Sequence, residues 1–263
     1  MVRALYYHAA SPTLKIKTMS PPRFYCPPPL PSGAALELPP EAARHAHRVL
    51  RLRVNDPVQV FDGEGNALDA KIGEIGGKRV LLHELQTCMA EAESPLRITL
   101  AQAMCSSEKM DWVVQKATEL GAVEIQPVQT QRSVAKLSNE RAEKRTAHWR
   151  NVTIAACEQC GRNVLPQVRA PMELSAWLAE MRSRAGAKFI LQPEGSTALH
   201  KQPQPQGNVV LLIGPEGGFS EDEIKMAHLA GFTPIRLGKR VLRTETAAMA
   251  GIAALQTLWG DFS

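Results

Sequence analysis

Residues 209–220 read Val209-Val210-Leu211-Leu212-Ile213-Gly214-Pro215-Glu216-Gly217-Gly218-Phe219-Ser220. An apolar strand here runs into a glycine-rich loop and then into a helix. Glycines let a ligand approach the backbone, and a parallel sheet binds ligands beyond the carboxyl ends of its strands. A plain strand-to-helix turn is the alternative, but three glycines, a proline and an acid within five residues favour a ligand loop. Neither G-x-G-x-x-G nor the Lys-Ser/Thr of a P-loop is present, and Glu216 would repel phosphate. The loop therefore suits a neutral or cationic ligand. Ser220 and Glu223 have the spacing of a capping box, which starts the helix at the loop's exit.

A second loop is Leu237-Gly238-Lys239-Arg240-Val241-Leu242-Arg243-Thr244-Glu245-Thr246, again between a strand and a helix that opens at Thr244 or Thr246. Both loops leave strand carboxyl ends, so they can line one pocket. Arg243 and Glu245 are then either a surface pair or catalytic groups. A third polar set is Gln131-Arg132-Ser133 with Glu158-Gln159-Cys160-Gly161-Arg162. Arg132 and Arg162 suit phosphates, while Glu158 and Gln159 suit base edges. From Ala42 to Asn55, Arg44, Arg48, Arg51 and Arg53 stand with His45 and His47 and no acid. That run is either a solvated helix face or a phosphate-binding patch.

Cys157-Glu158-Gln159-Cys160 is a C-x-x-C, but it lies near the end of a helical stretch and no second pair exists for zinc. No metal is expected. The remaining cysteines, Cys26, Cys88 and Cys105, form no disulfide framework, which fits a reducing cytoplasm.

These groups need elements to hold them. Residues 23–88 read as a small β-rich unit, a barrel or sandwich. Its expected parts are a helix over Glu41–Leu52 and strands over Pro57–Phe61, Ala67–Ile75 and Arg79–Leu85, joined by glycine-rich turns. After residues 89–95 strands and helices alternate. Strands are expected at Leu96–Ala103, Glu124–Val128, Lys188–Leu191, Asn208–Ile213 and Pro234–Leu237. Helices are expected at Lys109–Leu120, Asn139–Gln159, Leu174–Arg184, Glu221–Ala230 and Glu245–Trp259. This alternation implies an α/β fold with a parallel sheet covered by helices. Residues 1–18 read as a flexible extension, 19–90 as the β domain and 91–263 as the α/β domain. The 263 residues carry a net charge of +5 and contain no apolar run of membrane-spanning length. The mild basicity accommodates an RNA partner.

Taken together these stretches resemble the RsmE family, the small-subunit ribosomal RNA uridine N3-methyltransferases of the SPOUT superfamily. The resemblance rests on Arg23-Phe24-Tyr25, His47-Arg48-Val49-Leu50-Arg51, Lys116–Gly121, Gln131-Arg132-Ser133, Glu158–Arg162, Ile213–Phe219 and Leu237–Ala247. Departures are the extension before Met19, Tyr25 where phenylalanine is usual and Cys160 where serine is common.

The resemblance implies a PUA-like RNA-binding barrel, a trefoil-knotted C-terminal domain, a homodimer and S-adenosylmethionine as cofactor. It implies cofactor contacts from Leu191, Gln192, Ile213, Gly214, Pro215, Glu216, Gly217, Gly218, Leu237, Gly238, Val241, Leu242 and Thr246. Arg243 would stabilise charge on the uracil, with Glu245 or Glu158 accepting the proton. Arg23, Arg44, His47, Arg48, Arg51, Arg53, Arg132, Gln159 and Arg162 would contact 16S rRNA in the small subunit. The alternatives are a ribose 2′-O-methyltransferase of the same superfamily and a non-catalytic RNA-binding assembly protein.

Overall fold

The computed structural model of the chain describes residues 20–31, 33, 35–77, 79–88, 92–133, 139–192 and 197–262. The expected extension over 1–18 lies outside them. The first part contains β1 (Arg23–Tyr25), β2 (Ala35–Glu37), α1 (Pro40–Arg44), β3 (Pro57–Phe61), β4 (Ala67–Gly76) and β5 (Arg79–Cys88). They form a five-stranded sheet in the order β1-β3-β4-β5-β2, with β1 parallel to β3 and the other pairs antiparallel. Val58, Val60, Ile72, Val80 and Leu82 bury one core with Phe24. The three-residue strands β1 and β2 are too short to display alternation, and the sequence reading did not separate them.

The helix expected over Glu41–Leu52 is shorter. α1 ends at Arg44 and continues as a wider turn over His45–Val49, where the Leu50 N–H reaches His45 O at 3.0 Å. Arg51 then takes a φ of 54°, which a helix cannot include.

The second part contains β6 (Arg97–Ala103), α2 (Ser107–Glu119), β7 (Ala122–Gln129), α3 (Asn139–Cys160), β8 (Gln167–Val168), β9 (Met172–Glu173) and α4 (Leu174–Met181). It continues through β10 (Ala187–Leu191), β11 (Thr197–Ala198), β12 (Asn208–Ile213), α5 (Glu221–Leu229), β13 (Thr233–Arg236) and α6 (Thr244–Trp259). The sheet runs β11-β13-β10-β12-β6-β7-β8, with β9 also on β7, and all these pairs are parallel.

Side chains alternate faces along a strand, and both faces of β12 are covered. Val209, Leu211 and Ile213 join the core under α2, α3 and α6, while Val210 and Leu212 join the core under α4 and α5. From β12 the chain crosses to β13, on the far side of β10, then returns to lay α6 against β12. Gly251 permits that close approach, since a Cβ there would stand 2.6 Å from Leu211 Cδ2.

The two parts meet along a seam that combines a small apolar cluster, Phe61 and Ala67 with Cys157 and Leu165, with hydrogen bonds. The turn after β3 is held by Asp62, whose carboxylate accepts the N–H groups of Glu64 and Asn66. That turn docks on the segment after α3, with Leu165 N–H to Gly63 O at 3.0 Å and Gly65 N–H to Asn163 O at 3.2 Å.

Candidate active-site cleft

The carboxyl ends of β10, β12 and β13 open into a cleft of about 550 Å³, within the size range of small-molecule sites. Gly218, at φ 68°, closes a turn with its N–H on Pro215 O at 2.9 Å. At Gly214 a Cβ would lie 3.0 Å from the Phe219 ring, which would have to shift by a few tenths of an ångström to admit it. The capping box is present. Ser220 Oγ accepts the Glu223 N–H, and the Glu223 carboxylate accepts the Ser220 N–H at 2.8 Å. The same carboxylate accepts the Gln131 N–H at 2.8 Å, which fastens the turn after β7 beside the glycine loop.

The structure brings the expected cofactor residues together at this cleft, with two corrections. Gly217 faces Arg132 instead, and its carbonyl accepts from Arg132 Nη1 at 2.8 Å. Thr246 is exposed, because α6 starts at Thr244 and two residues along a helix turn a side chain through roughly 200°. Thr244 takes the inward position. Its hydroxyl donates to Gly214 O at 2.6 Å and accepts from Gln102 Nε2 at 2.8 Å. Phe219, Ile224, Arg236, Arg240 and Ala247 complete the wall. The apolar walls of Leu191, Ile213, Leu237 and Leu242, together with the Glu216 carboxylate and exposed loop backbone, suit a mixed apolar and cationic ligand such as S-adenosylmethionine.

Arg243 lines the cleft at the N-cap of α6. Glu245, in the first helical turn, lies beside Lys109, which the sequence reading missed. Lys109 Nζ sits 2.8 Å from Glu216 Oε1 and 3.5 Å from Glu245 Oε2. Burial works to raise the Glu216 carboxyl, but the hydrogen bond from Lys109, a backbone hydrogen bond and the Lys109 charge together outweigh it and leave the group below its ordinary range. The hydrogen bond to Glu216 raises Lys109 in turn. A lysine in the first turn of a helix opposes the helix dipole, and that local conflict was the one legible sign.

Glu158 is a correction among the catalytic candidates: the chain does not bring it to the cleft. It lies in a groove between α1, the following turn and α3, where its carboxylate accepts the Tyr25 N–H at 3.1 Å. Burial raises its pKa, partly offset by that hydrogen bond.

Two of the expected RNA contacts are structural. Arg162 is 2% exposed. Its guanidinium bonds both oxygens of Glu93 and the carbonyls of Thr118 and Ala122, so no phosphate can reach it. Arg23 lies in the seam, donating to Arg162 O at 3.0 Å and Asn163 Oδ1 at 2.7 Å, with its guanidinium over the Phe61 ring. Arg44, His47, Arg48, Arg51 and Arg53 are exposed around α1 and the loop after it, as is Gln159 at the end of α3. Arg132 is exposed beside the glycine loop.

Cys157 is buried, and its sulfur contacts Cys160. Among the described residues no group of three or more His, Cys, Asp or Glu side chains is arranged to hold a metal ion. No described helix is long and apolar enough to cross a membrane.

The RNA methyltransferase domain family matches residues 92–256, and the RNA methyltransferase PUA domain family matches residues 38–85. Ribosomal RNA small subunit methyltransferase E of Buchnera aphidicola subsp. Acyrthosiphon pisum is 33% identical over 247 residues, covering 94% of this chain and 97% of that protein. The Neisseria gonorrhoeae protein of the same name, solved bound to S-adenosyl methionine, superposes with a TM-score of 0.87 at 42% identity, covering 92% of this chain and all of that one. A Legionella pneumophila methyltransferase solved with its cofactor gives a TM-score of 0.88 at 40% identity, over 93% of this chain and 100% of that one.

Proposed function

The chain belongs to the ribosomal RNA small subunit methyltransferase E family, and from that membership we propose that it methylates N3 of a uridine in 16S rRNA of the small ribosomal subunit, with S-adenosylmethionine as donor. The observation that carries this reading is the cleft itself. Its two loops are fastened together by Thr244 in a chain similar along its length to cofactor-bound methyltransferases.

The cofactor would supply an electrophilic methyl group. The chain's residues have three tasks: to hold the methyl in line with N3, to stabilise the uracil anion, and to receive the N3 proton. The backbone of 213–218 and 237–242, with Leu191 and Gln192, positions the cofactor. Arg243, an exposed cation lining the cleft, stabilises charge developing on a uracil oxygen. Glu245 is the proton acceptor within this chain; it stands behind the cleft lining, two residues after Arg243, with Lys109 beside it. The methyl carbon leaves sulfur for nitrogen, sulfur keeps the bonding pair, and the proton passes to the carboxylate.

The exposed arginines around α1 grip RNA phosphates, as a PUA-like module over 19–90 would, while 91–263 forms the methyltransferase domain. The return of α6 across the sheet supports a trefoil-knotted path. Exposed Trp112, Leu258 and Phe262, on and just beyond the packed helices α2 and α6, support a homodimer. The cysteine content fits the cytoplasm.

The test is methylation of 30S subunits from a strain lacking the endogenous enzyme, with labelled cofactor and nucleoside mass spectrometry. N3-methyluridine is the expected product. A 2′-O-methyl nucleoside would move the chemistry to ribose. Absent transfer together with absent cofactor binding would return the protein to a non-catalytic RNA-binding role.

A further inference from the structure

One fully buried polar side chain lies next to the cleft without lining it. Gln102, the penultimate residue of β6, is 0% exposed and paired in register with Ile213, the last strand residue before the glycine loop. Its amide nitrogen carries two protons. One goes to Ala103 O at 3.0 Å and the other to Thr244 Oγ1 at 2.8 Å. The threonine hydroxyl has a single proton, so with its lone pair engaged by the amide it points that proton at Gly214 O, 2.6 Å away. Gly214 opens one cleft loop and Thr244 closes the other, and both line the cleft.

Stability alone does not call for an amide here. Its own carbonyl oxygen is buried with no hydrogen-bond partner, which is destabilising, and an apolar pair of matching shape would be close to neutral. We propose that Gln102 is a positioning residue for the transfer reaction: it orders the Thr244 hydroxyl so that the glycine loop and the 237–243 loop are held at the separation the cofactor requires. The proposal rests on the reading of the cleft as the cofactor site.

The relay acts on binding and leaves the reacting groups in place, so its removal separates cofactor affinity from turnover. The experiment is calorimetric titration of S-adenosylmethionine into wild type, Gln102→Met, Thr244→Val, Thr244→Ser and the Gln102→Met/Thr244→Val double variant. Each is also assayed for KM, kcat and melting temperature without cofactor. Thr244→Val is expected to weaken binding roughly tenfold, the size of one lost hydrogen bond, and Gln102→Met several-fold. The KM for cofactor rises in parallel, and kcat at saturating cofactor stays within about threefold of wild type. Thr244→Ser regains most of what valine loses. Because both residues act through one hydroxyl, the double variant binds no more weakly than Thr244→Val.

Losses that multiply in the double variant, or lowered melting temperatures with unchanged cofactor affinity, would overturn the relay. Should Thr244→Val fail to fold, the near-isosteric Gln102→Met carries the same comparison. Wild type that does not bind the cofactor would sink the function reading and this inference together. Wild-type binding with equal binding by the variants would sink the relay alone.

Discussion

Replacing Arg162 by methionine keeps the aliphatic stem and deletes the guanidinium. Three groups lose a partner: the Glu93 carboxylate, held at 2.8 and 3.0 Å, and the carbonyls of Thr118 and Ala122, each at 2.8 Å. Breaking a buried ion pair by removing one partner typically costs about 3–5 kcal/mol. Two features set the lower end here. Glu93 is 29% exposed and can regain water, and Thr118 O retains the Gly121 N–H at 3.1 Å. The expected loss is therefore about 3 kcal/mol, a large share of a typical domain's stability. Adding Glu93→Gln removes the stranded charge and should recover about 1 kcal/mol. Urea unfolding followed by tryptophan fluorescence reads both values, since Trp149 and Trp177 are buried. RNA binding supplies the second arm. Folded Arg162→Met should keep the wild-type salt dependence, whereas Arg48→Ala should reduce the slope by about one. A stability loss under about 1 kcal/mol combined with a reduced salt slope would refute the structural role and restore Arg162 as a phosphate contact.

Arg243→Ala should lower turnover about a hundredfold with cofactor affinity unchanged, as removal of one charge-stabilising group does; near-wild-type turnover would remove it from the chemistry. In the folded protein at pH 7, iodoacetamide should label Cys160 ahead of Cys26 and Cys105. Contact with the Cys157 thiol holds Cys160 below the ordinary thiol range, so its thiolate persists to lower pH, whereas burial pushes Cys26 and Cys105 up to about 12. Labelling of Cys26 or Cys105 ahead of Cys160, read by peptide mass spectrometry, would contradict that order. Gly251→Ala gains up to about 1 kcal/mol of helix propensity but crowds Leu211, and overpacking costs about 1–3 kcal/mol. A lowered melting temperature that Leu211→Val partly restores is the expected result; a raised one would mean that α6 has slack over β12.

The glycine loop was legible because its signals are local. A strand of β-branched and leucine residues, three glycines and the Ser220–Glu223 spacing all lie within a few turns of one another, and each determines backbone geometry directly. The strand–helix order of the second part was readable for the same reason. Errors arose where identity depends on a distant partner. Arg162 resembles any surface arginine until Glu93 and the carbonyls at 118 and 122 close around it. Glu158 shares its motif with residues expected to meet RNA, yet Tyr25, across the seam, claims its carboxylate. Thr246 and Thr244 were equally plausible helix openings, and a shift of two residues points the hydroxyl away from the cleft. Gln102 carried no signal, since a lone amide near the end of an apolar strand acquires meaning only from Thr244, 142 residues later.

α3 is 22 residues long, a rod of about 33 Å. Its first half clasps α2 through Asp111, which bonds both His148 and Trp149, while its last turn leads into the seam gripped by Glu93, Arg23 and the turn at Asp62. The rod makes the molecule a calliper. One jaw is the basic surface around α1, the other is the cleft beyond β12, and the rod and the seam hydrogen bonds tie them together. A flexible RNA strand would meet such a tool in many registers. A folded RNA meets it in few, so on the reading proposed above the uridine is chosen largely by its distance from the place where the first jaw closes.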